Sequence, residues 1–206
     1  MSADRRSIVL FDLFGVIARH QRPGALEKMA ALARVSPSAF TRAYWARRPP
    51  YDAGRLTASA YWRDVLRTLS RPADADTVEE LRLTDVDSWS RVDESMVSYV
   101  LGLRERARVA LLSNIPADHA DAFLAAQPWL NDLDHVAFSG RIGAAKPDPA
   151  AFQHCVVALR SAPADFLFVD DREENVRAAQ AAGLSGHVFR GQGALAKVVD
   201  TWLPAF

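Results

Sequence analysis

The chain has 206 residues, half of them hydrophobic and 24% charged, and its 25 Lys and Arg balance 25 Asp and Glu. This composition fits one globular domain, or one domain with a sizeable insertion, and excludes a disordered, collagenous or low-complexity chain. Zero net charge lacks the basic excess of a protein that works on nucleic acid or anionic lipid. The single cysteine, Cys155, permits no intrachain disulfide, as suits a soluble cytoplasmic protein.

After a polar start that holds Arg5 and Arg6, residues 7–12 read S-I-V-L-F-D. A continuous apolar run with β-branched and aromatic residues predicts a strand covered on both faces. It is too short for the 7–15-residue core of a signal peptide, and nothing in the chain approaches the ~20 apolar residues of a membrane span. Between residue 17 and about residue 90 no strand is predicted. Helical patterns occupy 23–35, then 36 to about 47 opened by Ser36-Pro37, then 57–69, and 75 to about 83. About 70 residues is too long for a structureless loop, so 18–89 reads as an all-helical cap inserted after the first strand.

From residue 90 the pattern alternates. A helix over 93–107 leads into a strand over 109–112, followed by a helix over 118–130 and a strand over 135–138. Asp148-Pro149 then starts a helix over 149–160, as an N-cap and N1 pair should. A strand over 166–169, a helix over 173–182 ending at Gly183, and a strand over 187–189 complete the series. Such alternation indicates an α/β, doubly wound parallel sheet, formed by 1–17 and 90–206. The apolar tail 198–206, with Trp202 and Phe206, is expected to pack on the sheet or to form a dimer contact.

Ligands of such sheets bind beyond the carboxyl ends of the strands. Those ends carry Asp12-Leu13-Phe14-Gly15, then Ser113-Asn114, then Lys146 ahead of a helix, then Asp170-Asp171. Neighbouring carboxylates repel unless a cation lies among them, and an all-oxygen set suits Mg²⁺. A lysine and a hydroxyl suit the remaining oxygens of a phosphate.

In this order, F-D-L-F-G-V-I, L-L-S-N, A-K-P-D-P-A-A-F and F-V-D-D-R-E-E-N-V resemble the four motifs of the haloacid dehalogenase (HAD) superfamily, with the helical insertion where that family places its first-type cap. The resemblance spans nearly the whole chain and implies sheet order 3-2-1-4-5. It implies a Mg²⁺-dependent phosphatase of a small phosphate monoester, sugar phosphate favoured, acting as a monomer or homodimer. Asp12 would be the nucleophile, with Ser113 and Lys146 as catalytic partners and Asn114 against substrate. The metal would be held by Asp12, the backbone carbonyl of Phe14 and Asp171, with Asp170 direct or beside it and Asn175 acting through water. Lys146 would hold the Asp12 carboxylate ionised.

Phe14 departs from the family pattern. Most family phosphatases place a second Asp there to protonate the leaving group, and a phenyl ring transfers no proton. The string F-D-L-x-x-V-I resembles the α-glucose-1-phosphate phosphatase branch, which also lacks that Asp. The alternatives are a 2-haloacid dehalogenase and a non-catalytic binding protein.

Within the cap, the stretch 44–55 is the most polar and aromatic. Arg47 or Arg48 is expected to grip a distal anion, and Trp45 or Tyr51 to stack on a sugar. His20 stands in the hinge after the first motif. The five histidines show no paired spacing for zinc. Cys155 reads as a small buried hydrophobe, and Gly191-Gln192-Gly193 as a turn rather than a dinucleotide loop.

Overall fold

The structure, a computed structural model, describes residues 7–204; Arg5, Arg6 and Phe206 lie outside the described residues. A parallel five-stranded sheet has the order β3-β2-β1-β4-β5, built from β1 (Ile8–Phe11), β2 (Arg108–Ser113), β3 (His135–Phe138), β4 (Phe166–Asp170) and β5 (Ser185–Val188). The order is the one expected. The register explains why the runs are apolar throughout. Val9 pairs with Val109 and Leu167, and Phe11 with Leu111 and Val169, so these side chains share one face. Ile8, Leu10, Phe166 and Phe168 belong to the other face, and both faces are covered by helices.

Helices α5 (Glu94–Gly102), α6 (Ala117–Ala126) and α10 (Gln192–Trp202) cover the first face, and α8 (Pro149–Leu159) and α9 (Glu173–Ala181) the second. Trp202 Nε1 donates to Ser185 Oγ over 3.3 Å, and Leu203 is buried, so the tail packs on the sheet. Cys155 is buried among apolar neighbours, and burial pushes its thiol up to about 12.

Four helices lie between the first two strands: α1 (Ala25–Leu32), α2 (Pro37–Asp52), α3 (Ala58–Thr68) and α4 (Ala75–Ser88). They enclose their own apolar centre of Met29, Phe40, Tyr44, Tyr61, Trp62 and Leu81. Ser36, Thr57 and Asp74 cap α2, α3 and α4 with side-chain oxygens. The two crossings between these helices and the sheet run together: Arg19 N donates to Arg91 O, and Asp93 N to Ile17 O.

Several boundaries differ from expectation. Helix α6 ends at Ala126 because Pro128 drives Gln127 out of the helical region, and a short 3-10 turn, Pro128–Asp132, follows. The last strand is displaced towards Ser185-Gly186; as a half-buried edge strand it is defined by its ladder to β4, not by an apolar run. A one-turn helix α7 (Ser139–Ile142) went unrecognised. The largest difference is α2, which continues through Pro49 and Pro50 to Asp52 instead of stopping near Arg47.

Candidate active site

The chain leaves the sheet at Asp12, whose N–H still donates to Val169 O over 2.8 Å. Its carboxylate is set by the Leu13 N–H, 2.7 Å from Oδ1, and by Lys146, whose Nζ lies 2.8 Å from the same oxygen. Lys146 precedes α8, and its Nζ also donates to Asp170 Oδ2 over 2.7 Å. Asp170 is fully engaged: Arg172 N donates to Oδ1, and Asn175 Nδ2 reaches both oxygens at 3.1 and 3.0 Å.

Beside this network three polar atoms are buried without a partner: Ser113 Oγ, Asp171 Oδ1 and Asn175 Oδ1. Buried polar groups are normally satisfied, so unpaired ones at a strand rim point to a ligand. Asp171 Oδ2 lies 3.2 Å from His20 Nε2. Gly15 closes the turn after Asp12 at φ +86°, and a Cβ there would overlap the Asp171 carboxylate and reach within 2.7 Å of His20 Cε1. Asp12, Asp170 and Asp171 each offer an oxygen within 4.8 Å of the others. Such a hard-oxygen cluster, with unpaired buried oxygens beside it, fits a divalent cation such as Mg²⁺.

The electrostatics correct one expectation. Burial drives the Asp12 carboxyl up to about 7, and Lys146 only partly opposes this while Asp170 adds to it. Burial, then Asp170, also raises Asp171. Burial works against the charge on Lys146, but Asp12 and Asp170 more than offset it and its pKa rises. Without a metal ion, the desolvation of Asp12 and Asp171 outweighs the nearby lysine.

A cavity of about 200 Å³ opens over this cluster. The sheet side supplies Asp12, Ser113, Asn114 and Lys146; α2 supplies Trp45, Arg48 and Asp52. Phe14 borders it too, its ring packed edge-on against Trp89 at 4.9 Å and Phe123 at 5.9 Å. Asn114 does more than face a substrate: its Nδ2 donates to Lys146 O over 2.7 Å, and its Oδ1 accepts from Lys146 N over 2.8 Å.

Arg47 and Tyr51 are not brought to the cavity. Arg47 is exposed and pairs with Asp64 at 3.3 Å. Tyr51 is buried, stacks on Tyr61 at 4.3 Å between ring centres, and donates to Asp118 over 2.5 Å. Of the two adjacent arginines, the one that reaches the cavity is Arg48. It is buried, donating to Asp52 Oδ1 over 2.7 Å, to Asp85 Oδ2 over 2.9 Å, and to the Tyr44 hydroxyl. Asp52 and Trp89 went unrecognised as site residues. The i,i+4 spacing of Arg48 and Asp52 was a usable signal, hidden by the prolines between them.

Fold and site together define a hydrolase built on a carboxylate and lysine cluster at the rim of a parallel sheet. The chain belongs to the haloacid dehalogenase-like hydrolases, which match residues 7–183. It is 26% identical over 183 residues to D-ribitol-5-phosphate phosphatase of Bacteroides thetaiotaomicron, covering 85% of this chain and 87% of that one. Its fold superposes on a HAD family enzyme of the same organism in complex with magnesium and inorganic phosphate, with TM-score 0.77, 20% identity and 91% and 96% of the two chains covered. It also superposes on L-2-haloacid dehalogenase of Xanthobacter autotrophicus, with TM-score 0.66, 20% identity and 97% and 85% covered. No helix among the described residues is long and apolar enough to cross a membrane.

Proposed function

We propose that this hydrolase removes phosphate from a small phosphate monoester, a sugar phosphate by preference, with Mg²⁺ as its cofactor. The observation that carries the reading is the buried, unpartnered Ser113 hydroxyl in the same cavity as Asp12 and Lys146. A hydroxyl donor and a buried ammonium suit an incoming phosphoryl group. The phosphatase activity named for the Bacteroides relative, which matches over most of both chains, supports the same substrate class.

Asp12 and Asp171, with the backbone carbonyl of Phe14, would hold the ion. Asp170, its oxygens already taken by Lys146, Asn175 and the Arg172 backbone, would act beside it, and Asn175 Oδ1 would accept from a metal-bound water. The ion would supply positive charge against the carboxylates and the phosphoryl oxygens.

Oδ1 of Asp12 is occupied by Leu13 N and Lys146, which leaves Oδ2 to attack phosphorus. The ester P–O bond breaks and its electron pair leaves on the alcohol oxygen, giving an aspartyl-phosphate. Water then attacks phosphorus, the bond to Asp12 breaks, and inorganic phosphate departs. Lys146 has three N–H donors, two spent on Asp12 and Asp170, so one remains for a phosphoryl oxygen. The carboxylate cluster favours phosphoryl transfer over displacement of halide at carbon, which by resemblance needs no metal. A lone buried thiol suits the reducing cytoplasm.

The test is phosphate release from a panel of phosphate esters with Mg²⁺ or with EDTA, wild type against Asp12→Asn, and chloride release from 2-chloropropionate alongside. Mg²⁺-dependent release lost in Asp12→Asn is expected. Chloride release with a silent phosphate panel would overturn the reading in favour of a dehalogenase.

A further inference from the structure

Phe14 leaves the reaction without a proton donor at the position where family phosphatases carry one, yet the alcohol of an alkyl phosphate leaves poorly as an alkoxide. The groups in the cavity that carry a movable proton are few. Lys146 is held between two carboxylates. His20 is largely exposed and turned to Asp171. The remaining one is Asp52, from the inserted helices, in the wall of the same cavity as Asp12, Ser113 and Lys146.

We propose that Asp52 is the general acid and base of this enzyme, supplying from α2 the proton chemistry that Phe14 cannot. The inference rests on the phosphatase reading above.

The placement of Asp52 is built, not incidental. Helix α2 continues past Pro49 and Pro50 to reach it. Its backbone carbonyl accepts from Ser139 Oγ, at the end of β3, over 2.5 Å. Two residues on, Gly54 lies so close to Gly140 that a Cβ would strike the Gly140 carbonyl. The end of α2 is therefore docked on the sheet rim, which fixes a carboxyl from the insertion relative to Asp12. Arg48 Nε donates to Asp52 Oδ1 over 2.7 Å and orients it.

The charged groups acting on Asp52 are Arg48 on its own helix, His119 of α6 and Asp85 of α4. Burial outweighs Arg48 and raises the carboxyl above its ordinary value, towards the protonated form an acid needs. In the first step the ester P–O bond breaks, and the leaving oxygen takes the Asp52 proton as it receives the electron pair. In the second, the Asp52 carboxylate takes a proton from the attacking water. The bond to Asp12 then breaks, and Asp52 returns to its starting form.

The experiment compares kcat/KM over a series of esters. It runs from 4-nitrophenyl phosphate, whose phenolate leaves without help, to alkyl phosphates, whose alkoxide does not. Wild type should vary little along the series. Asp52→Asn, which keeps an acceptor for Arg48, should lose about 10²–10⁴-fold on alkyl phosphates and less than tenfold on 4-nitrophenyl phosphate. It should also lose the limb of the pH profile that reports an acid. A loss equal across the series, or no loss, would overturn the role of Asp52 while leaving the phosphatase intact. A steep leaving-group dependence in wild type would overturn it even if Asp52→Asn does not fold. Wild type silent on every ester would remove the phosphatase reading beneath it.

Discussion

The side-chain amide of Asn114 and the main chain of Lys146 hold each other by two hydrogen bonds, 2.7 and 2.8 Å long, joining the end of β2 to the loop before α8. Both functions of the amide, donor and acceptor, are used on one backbone unit, so the ammonium that faces Asp12 is placed by a residue of the neighbouring strand. Asn114→Ala should lower stability by about 1–3 kcal/mol, because two partly buried backbone groups lose their partners. It should also lower kcat by about 10–100-fold, since the proposed role of Lys146 depends on its placement and small misplacements of such a group are costly. Thermal melting and steady-state kinetics would separate the two effects.

Asp12 sets a pH dependence whose sign can be worked out. Its folded-state carboxyl stands at about 7, raised above the ordinary 3.8 by burial. Between those values the folded protein binds a proton that the unfolded chain does not, so metal-free stability falls as pH rises through that window. Asp171 is shifted in the same direction. Asp12→Asn should flatten the fall. The proposed Mg²⁺ site requires the ionised form, so the rise in Tm that the ion produces should be larger above pH 7 than below pH 6 and smaller in Asp12→Asn. Differential scanning at several pH values would measure both.

Arg47 and Arg48 are neighbours in sequence and opposites in role. Arg47→Ala should change stability by less than about 0.5 kcal/mol, as exposed substitutions do, and leave KM within twofold. Arg48→Met takes the guanidinium from the buried Asp85, whose carboxyl Arg48 and His119 hold down against the effect of burial. Removing one partner of a buried pair costs about 3–5 kcal/mol. Urea unfolding of the two variants would show the contrast.

Gly15→Ala should damage the proposed metal site and not the sheet. The backbone at φ +86° disfavours a Cβ by about 1–2 kcal/mol, and the methyl would displace Asp171. The expected result is a more than tenfold rise in the Mg²⁺ concentration giving half-maximal activity, read by titrating the metal.

The buried strands were legible because each is apolar on both faces, and the sheet order because the polar groups after them resemble the motifs of a family with that order. Along the chain Asp12, Ser113, Lys146 and Asp170-Asp171 come at or after the ends of β1, β2, β3 and β4 in turn, while across the sheet they run Lys146, Ser113, Asp12, Asp170-Asp171. Asp12, Ser113 and Lys146 line one cavity because β1, β2 and β3 are neighbours in the sheet, and Asp170 and Asp171 lie beside Asp12 from β4.

The helical insertion was legible as helix and not as site. Pro49 and Pro50 lack the N–H groups that would bond back along α2, and locally they read as a stop. The helix continues because Tyr44, Arg48 and Tyr51 bury one face of it against Tyr61, Asp85 and neighbouring helices. Which of two adjacent arginines turned inward was a question of about 100° of helix rotation, set by the surfaces around it. The target of Asn114 likewise depended on a loop 32 residues away in sequence.

The sequence by itself therefore determined the buried strands and the polar groups at their ends, since those depend on burial and on residue types along single strands, and its family resemblance implied the order of the sheet. Only the tertiary structure decided the wall that faces the rim: Arg48 and not Arg47, Asp52 beyond two prolines, and Tyr51 in the interior. Those positions depend on how separate helices pack, which no local pattern encodes.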